Sequence, residues 1–195
     1  MTEPALLTFG LVLLAYLWGS IPTAVLVCHA FDIPDPRKKG SGNPGTTNVL
    51  RIGTRKAALV TLLGDAGKGY LALLPCVLLD LGSEIRALCA FAAIAGHMLP
   101  IFSSFKGGKG VATTFGACFG LFWPLAIVQL LVWCILAGIS RRSSLASVGT
   151  ALVSPIFIWL SAPQYIAIML VISLLLITRH RSNISNLLSG TEPRI

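Results

Sequence analysis

Apolar and polar positions in this chain are sorted into blocks rather than interleaved. From Pro4 to Ala30 no side chain is charged apart from His29, and stretches free of Asp, Glu, Lys and Arg recur at Ala87–Phe105, Gly110–Ser140 and Ser143–Thr178. Each exceeds the roughly 18 residues that mark a spanning helix. The first is longer than a signal-peptide core, is broken at Gly19-Ser20-Ile21-Pro22 and leads into further apolar blocks, so it is expected to stay as the first helix. The last two are too long for one crossing. At ~1.5 Å per residue they would run about 46 and 54 Å, against a hydrocarbon core of about 30 Å. Both predict hairpins of short helices, turning at Trp123-Pro124 and at Ala162-Pro163-Gln164, where proline cannot continue the ladder.

With a second span that carries "GDAGKG", the expected fold is all-α and polytopic, with seven transmembrane helices, the N-terminus outside and the C-terminus cytoplasmic. Several spans are then short, about 15 residues against the usual ~17 to 25. A five-span arrangement avoids the short helices but leaves Arg141-Arg142 outside, and it ranks second for that reason. Charge placement decides the order. Arg37, Lys38, Lys39, Arg51, Arg55 and Lys56 share the first hydrophilic segment, Lys106 and Lys109 the second, Arg141 and Arg142 the third, and Arg179, Arg181 and Arg194 the tail. The other connections carry mostly Asp80, Glu84 and a lone Arg86, so seven spans satisfy the positive-inside rule almost everywhere.

Composition agrees with a membrane protein: of 195 residues 55% are hydrophobic and 11% charged, where soluble domains carry about a quarter. The formal net charge is +8. Cys28, Cys76, Cys89, Cys118 and Cys134 stand singly in apolar stretches, so neither a zinc site nor a disulfide framework is expected. No repeat or separate soluble domain is visible. Residues 1–195 are read as one membrane domain, with cytoplasmic loops about 30–56, 104–110 and 140–147 and a tail at 179–195.

Candidate chemistry is confined to those loops. In "KKGSGNPGTTNVLRIGTRK" the glycines at 40, 42 and 45 let backbone amides turn toward an anion, Ser41, Asn43 and Asn48 add neutral donors, and Arg51 can fork onto a phosphate. A flexible linker would share this composition. "FKGGKG" repeats the chemistry with Lys106, Gly107, Gly108, Lys109 and Gly110, although Lys109 is followed by glycine rather than the Ser or Thr of a Walker loop. A basic anchor to headgroups is the plainer reading there, but anchoring needs no glycine. The third loop offers Ser143, Ser144 and Ser147. The tail offers His180 and Asn183, three apart and so on one helical face, although "TRHR" also suits a stop-transfer anchor.

Carboxylates are scarce on this side. Asp32 and Asp35 have no histidine at a telling spacing, no His-x-x-x-x-Asp occurs, and there is no Gly-x-Ser-x-Gly elbow. An enzyme built this way would work by positioning anions rather than by a strong base or covalent nucleophile. Within the spans, Asp65 and Lys68 at i, i+3 can pair on one face, chiefly as structural support, and His97 is placed to orient the "FKGGKG" loop.

"GSGNPGTTN", "DAGKG", "GHMLPIFSSFKGGKGVAT", "SSLAS" and "RHRSNI", in this order, resemble the bacterial acyl-phosphate:glycerol-3-phosphate acyltransferases, the PlsY family, and "AYLWGSIPT" resembles its first helix. The resemblance covers essentially the whole chain. It implies a seven-helix inner-membrane enzyme, active on the cytoplasmic side, that moves an acyl group from acyl phosphate to the 1-hydroxyl of glycerol 3-phosphate, releasing lysophosphatidic acid and inorganic phosphate. Carried over, Ser41, Gly42, Asn43 and Gly45 with Lys106, Gly107, Gly108, Lys109 and Gly110 would cradle the donor phosphate. Arg51, Ser147 and Lys109 would meet glycerol 3-phosphate, and Asn48, His180 and Asn183 would shape the reacting centre. The expected partners are these substrates, membrane lipid and the soluble enzyme that makes acyl phosphate, with no metal, cofactor or nucleic acid. Asn186 stands where the family tail has arginine, which puts a tail contact to phosphate in doubt and shifts it toward Arg181 or Arg179; Thr46 replaces an alanine. The rival from another class is a transporter of a small anionic or phosphorylated solute, disfavoured because the middle of the bundle holds only Asp65, Lys68 and His97 as polar steps.

Overall fold

The computed structural model describes residues 3–195, with side chains from Ala5 onward, and all regular structure in that range is helical. Close packing divides the chain into two compact units, Met1–Leu121 and Phe122–Ile195. Among the described residues five helical stretches are long and apolar enough to cross a membrane: Ala5–Ala30, Arg55–Leu78, Ser83–Ser103, Val111–Ser140 and Ser143–Ser161. A sixth arises if Pro163–Arg179 and Arg181–Leu188, bent by 60°, form one span.

The first unit contains α1 (Glu3–Gly19), α2 (Thr23–Ala30), α3 (Thr46–Ile52), α4 (Arg55–Leu71), α5 (Leu74–Leu78), α6 (Ser83–Met98) and the start of α7 (Val111–Ser140). The break between α1 and α2 falls at the expected Ser20-Ile21-Pro22, where the Ser20 hydroxyl donates back to the Tyr16 carbonyl at 2.8 Å. Helix α4 starts where the Thr54 hydroxyl accepts the Ala57 N–H at 3.1 Å. Ala24, Val27, Cys28, Val49, Ala57 and Ala58 form a buried cluster, with Phe31, Ile33 and Leu50 packed against it. That cluster joins α2, α3 and α4 and so fixes both ends of the first loop.

Helix pairs meet through small residues. A methyl placed on Gly96 of α6 would strike the Tyr16 carbonyl of α1, and one on Gly116 of α7 would strike the Ala66 carbonyl of α4. Backbones can approach this closely only without side chains at the crossing, which is how helices associate where lipid removes the hydrophobic drive. The outward faces carry large apolar groups, among them Leu6, Phe9, Leu13, Leu59 and Leu63, while Ser20, Thr61, Asp65, Lys68 and His97 are buried. Polar groups inside and apolar groups outside is the pattern that lipid as solvent requires. Arg86, in the first turn of α6, pairs with Asp80 of the α5–α6 connection at 2.9 Å, so the arginine that stood against the charge bias is matched by an acid.

In the second unit α8 (Ser143–Ser161) and α9 (Ile166–Arg179) pack together across a turn at Pro163–Tyr165, and α10 (Arg181–Leu188) follows. This is the hairpin expected at Ala162-Pro163-Gln164. The α8 hydroxyls are satisfied locally: Ser147, Thr150 and Ser154 donate to carbonyls four residues back, and Gln129 donates to Ser154 at 3.0 Å. In α7 the helical dihedrals fail at Phe122 (φ −158°, ψ 90°), one residue before the expected Trp123-Pro124 turn. Pro124 lacks the N–H that would close the ladder, and its ring crowds the preceding turn, so the break falls upstream of it.

Cys76 and Cys89, thirteen residues apart in the sequence, lie with their sulfurs 3.4 Å apart as buried free thiols, because α5 folds back onto α6.

Gly96→Val should cost at least ~2 kcal/mol, since the added carbons meet backbone that cannot repack. A detergent melting curve lowered by several degrees is the expected result.

Candidate functional site

The first loop is organised around Asn48, which is 2% exposed. Its amide donates to the Pro36 carbonyl at 2.8 Å and the Lys39 carbonyl at 3.0 Å, and its oxygen accepts the Ser41 N–H at 2.9 Å. Both amide hydrogens are therefore spent on loop backbone. Asn48, expected at the reacting centre, is in this structure a clasp that shapes the loop. Around it Ser41, Gly42 and Arg51 are exposed, and Asn43 and Gly45 are half-buried. Asp35 accepts the Arg37 N–H, Nε and Nη2 at 2.9, 3.0 and 2.7 Å. The hydrogen bonds from the Arg37 side chain hold the Asp35 carboxyl at about 2, below its ordinary 3.8. This pair contributes fully above the ordinary carboxylate range, and its contribution is lost as pH falls from about 4 toward 2.

The second loop rests on α6. The Gly108 N–H donates to the His97 carbonyl at 3.2 Å. A methyl on Gly108 would strike His97 Nε2 and lie 3.0 Å from the Pro44 carbonyl, so the first and second loops meet here. Gly110 holds φ +88°, a left-handed conformation that a side chain would oppose, and it turns the chain into the N-terminus of α7. Lys106 is exposed and Lys109 half-buried. Glycine is thus required by close approach at 108 and by backbone sign at 110, where sequence reasoning had argued only general freedom.

Beneath this loop three ionisable side chains converge. Asp65 Oδ1 lies 2.9 Å from Lys68 Nζ and 3.4 Å from His97 Nδ1, and Lys68 Nζ also donates to the Ile21 carbonyl at 2.8 Å. The expected Asp65–Lys68 pair is present, and His97 joins it. The cluster and Lys106, Gly107 and Gly108 line one cavity of about 10 Å³.

The second unit places the remaining candidates. Ser147, 6% exposed, donates to the Ser143 carbonyl and accepts Trp133 Nε1 at 3.3 Å. His180 Nδ1 lies 2.8 Å from the Leu176 carbonyl, and since a carbonyl only accepts, Nδ1 carries the proton. Asn183 donates to Glu192 Oε1 at 2.7 Å. Glu192 is buried, and sequence reasoning missed it, though it is the only acid in a basic tail. The Asn186 carbonyl accepts the Thr191 and Glu192 N–H groups at 2.9 and 3.1 Å, folding the tail back. Among the described residues no three His, Cys, Asp or Glu side chains gather as a metal site.

Comparison with known proteins covers nearly the whole chain. Residues 9–190 match the family model described as glycerol-3-phosphate acyltransferase. The glycerol-3-phosphate acyltransferase of Methylobacillus flagellatus is 50% identical over 183 residues, 93% of each chain, and that of Nitrosomonas eutropha 48% over 196 residues, 97% of this chain and 98% of its own. Among solved structures, the integral membrane glycerol 3-phosphate acyltransferase PlsY in its glycerol 3-phosphate form is similar at TM-score 0.91 and 35% identity, covering 96% of this chain and 95% of that one. Its lysophosphatidic acid form is similar at TM-score 0.87.

Asn48→Ala removes three loop hydrogen bonds and leaves the buried Pro36 carbonyl unpaired, a loss of about 1–3 kcal/mol. Trypsin should cut the variant several-fold faster than the wild type at Lys38 or Lys39.

Proposed function

Because the chain belongs to the glycerol-3-phosphate acyltransferase family, we propose that it transfers a fatty acyl group from acyl phosphate to the 1-hydroxyl of glycerol 3-phosphate, giving lysophosphatidic acid and inorganic phosphate. The observation that carries this reading is the meeting of two glycine-bearing loops at Pro44 and Gly108, beside Lys106 and Lys109 and at the N-terminus of α7. Backbone amides, a helix N-terminus and lysines together form the natural receptor for a phosphate dianion. The solved relative's glycerol 3-phosphate and lysophosphatidic acid forms support the same acceptor and product here.

In this scheme the Ser41–Asn43 segment, Gly45 and the Gly107, Gly108 and Gly110 backbone hold the donor phosphate with Lys106 and Lys109, in a loop that Asn48 keeps in shape. Arg51, Ser147 and Lys109 bind glycerol 3-phosphate, and His180 and Asn183 orient the reacting groups. The glycerol hydroxyl oxygen forms a bond to the acyl carbonyl carbon. The tetrahedral intermediate then collapses, breaking the bond from that carbon to the bridging oxygen, which leaves with the electron pair as phosphate. The hydroxyl proton passes to a phosphate oxygen, whose second pKa of about 6 suits it to the task. No side-chain base is required, which agrees with the scarcity of carboxylates near the loops. Lysines neutralise the charge that grows on the leaving phosphate.

The protein is an integral membrane protein by its family and its apolar helices. We place it in the bacterial inner membrane, as one domain over 1–195 with seven spans, the N-terminus outside, and the loops and tail cytoplasmic. The α7 break at Phe122 and the Pro163 turn support the count, and the charge bias supports the orientation. Lipid lies along the apolar faces, and the soluble enzyme that makes acyl phosphate is the expected neighbour in the cytoplasm.

Purified protein given labelled glycerol 3-phosphate should make lysophosphatidic acid with palmitoyl phosphate and none with palmitoyl-CoA; product from the thioester alone would refute the donor. Lys109→Ala should reduce turnover at least 100-fold while the protein stays folded. A cysteine replacing Arg142 should react with an impermeant maleimide only from the cytoplasmic side, and labelling from outside would favour five spans.

A further inference from the structure

The reaction scheme leaves Asp65, Lys68 and His97 unused, although burying three ionisable groups in membrane-spanning helices is costly and calls for a reason. They are 2%, 5% and 7% exposed. Their contacts cross the unit's architecture. Lys68 on α4 bonds to the Ile21 carbonyl in the α1–α2 break, Asp65 on α4 faces His97 Nδ1 on α6, and the His97 main chain holds the Gly108 N–H. The cluster and the glycine loop line one small cavity with room for about one water, so the loop is the cluster's nearest route to the reaction.

We propose that Asp65, Lys68 and His97 are positioning residues that set the anion-binding conformation of the Gly107–Gly108 segment. The transmission is steric and local. Gly108 lies against the His97 ring so closely that a methyl would collide with Nε2, and the neighbouring Gly107 is equally close to the His97 and Met98 carbonyls. The ring faces Asp65 at 3.4 Å, an ion-pair distance, and Asp65 pairs with Lys68, whose bond to the Ile21 carbonyl anchors the set to the α1–α2 break. Rotation of the His97 ring would displace Gly108, and with it the amides on either side. A cluster serving helix packing alone would not need its third member beneath a loop.

The inference rests on the proposed role of this loop as the donor-phosphate cradle, and it predicts a selective defect. In Asp65→Asn, which keeps shape but removes the charge facing Lys68 and His97, KM for acyl phosphate should rise at least tenfold. KM for glycerol 3-phosphate, which Arg51 and Ser147 hold besides Lys109, should rise less, and the purified protein should stay folded with a lowered melting temperature, because Lys68 loses its buried partner. His97→Asn, whose amide can still reach Asp65 from the Nδ1 position, should retain most of the wild-type KM for acyl phosphate, whereas His97→Leu should not. Wild-type KM values in Asp65→Asn and His97→Leu would overturn the proposal. So would failure of both variants to fold, because that would make the cluster structural only. Absence of product from the wild-type protein with acyl phosphate would instead remove the donor assignment on which the inference is built, and that result is separable from a variant-specific one.

Discussion

The hydrogen bond from the Gly108 N–H to the His97 carbonyl joins the buried part of the first unit to its second glycine-bearing loop. A helix C-terminus leaves carbonyls without intrahelical partners, and α6 ends at Met98, so the His97 carbonyl is one that must find a donor elsewhere. The glycine loop supplies it. Because the loop meets this carbonyl with no side chain between them, its path over α6 is set by van der Waals contact as well as by the bond. The Pro44 carbonyl at the same point ties the first loop into the arrangement, and Asn48 fixes that loop from the inside.

This construction suits a reaction whose difficulty is positioning rather than activation. A mixed anhydride of a fatty acid and phosphate already carries a good leaving group, so the protein need only hold two anions close together and neutralise the departing one. Backbone amides are suited to that work because they cannot titrate and do not reorganise during the reaction. Lysines flank them, and Asp35 of the first loop is already paired with Arg37.

Much of this was legible in the sequence because membrane folding leaves strong marks. The apolar blocks, the turn at Pro163 and the α1–α2 break follow from element length and from proline chemistry, and all three appear where expected. The α7 break was displaced by one residue, to Phe122, because proline disturbs the turn before it. Less legible were features that depend on main-chain atoms. Asn48 could be recognised as a polar group in a glycine-rich loop, but not as a clasp whose partners are the carbonyls of Pro36 and Lys39. His97 was read as orienting the second loop, and residue identity could not reveal that its carbonyl makes the bond. The Cys76–Cys89 approach and the Asn183–Glu192 bond were missed for a related reason. Each depends on a fold-back that carries no periodic signal.

The most direct test of this account is the affinity of inorganic phosphate for the purified protein and for Gly108→Ala, measured by titration calorimetry in one detergent. If the close seating of Gly108 on α6 builds the cradle, the added methyl should weaken phosphate at least tenfold while the protein remains folded. Equal affinity in the two proteins would contradict it, and would mean that phosphate is held by the lysines alone.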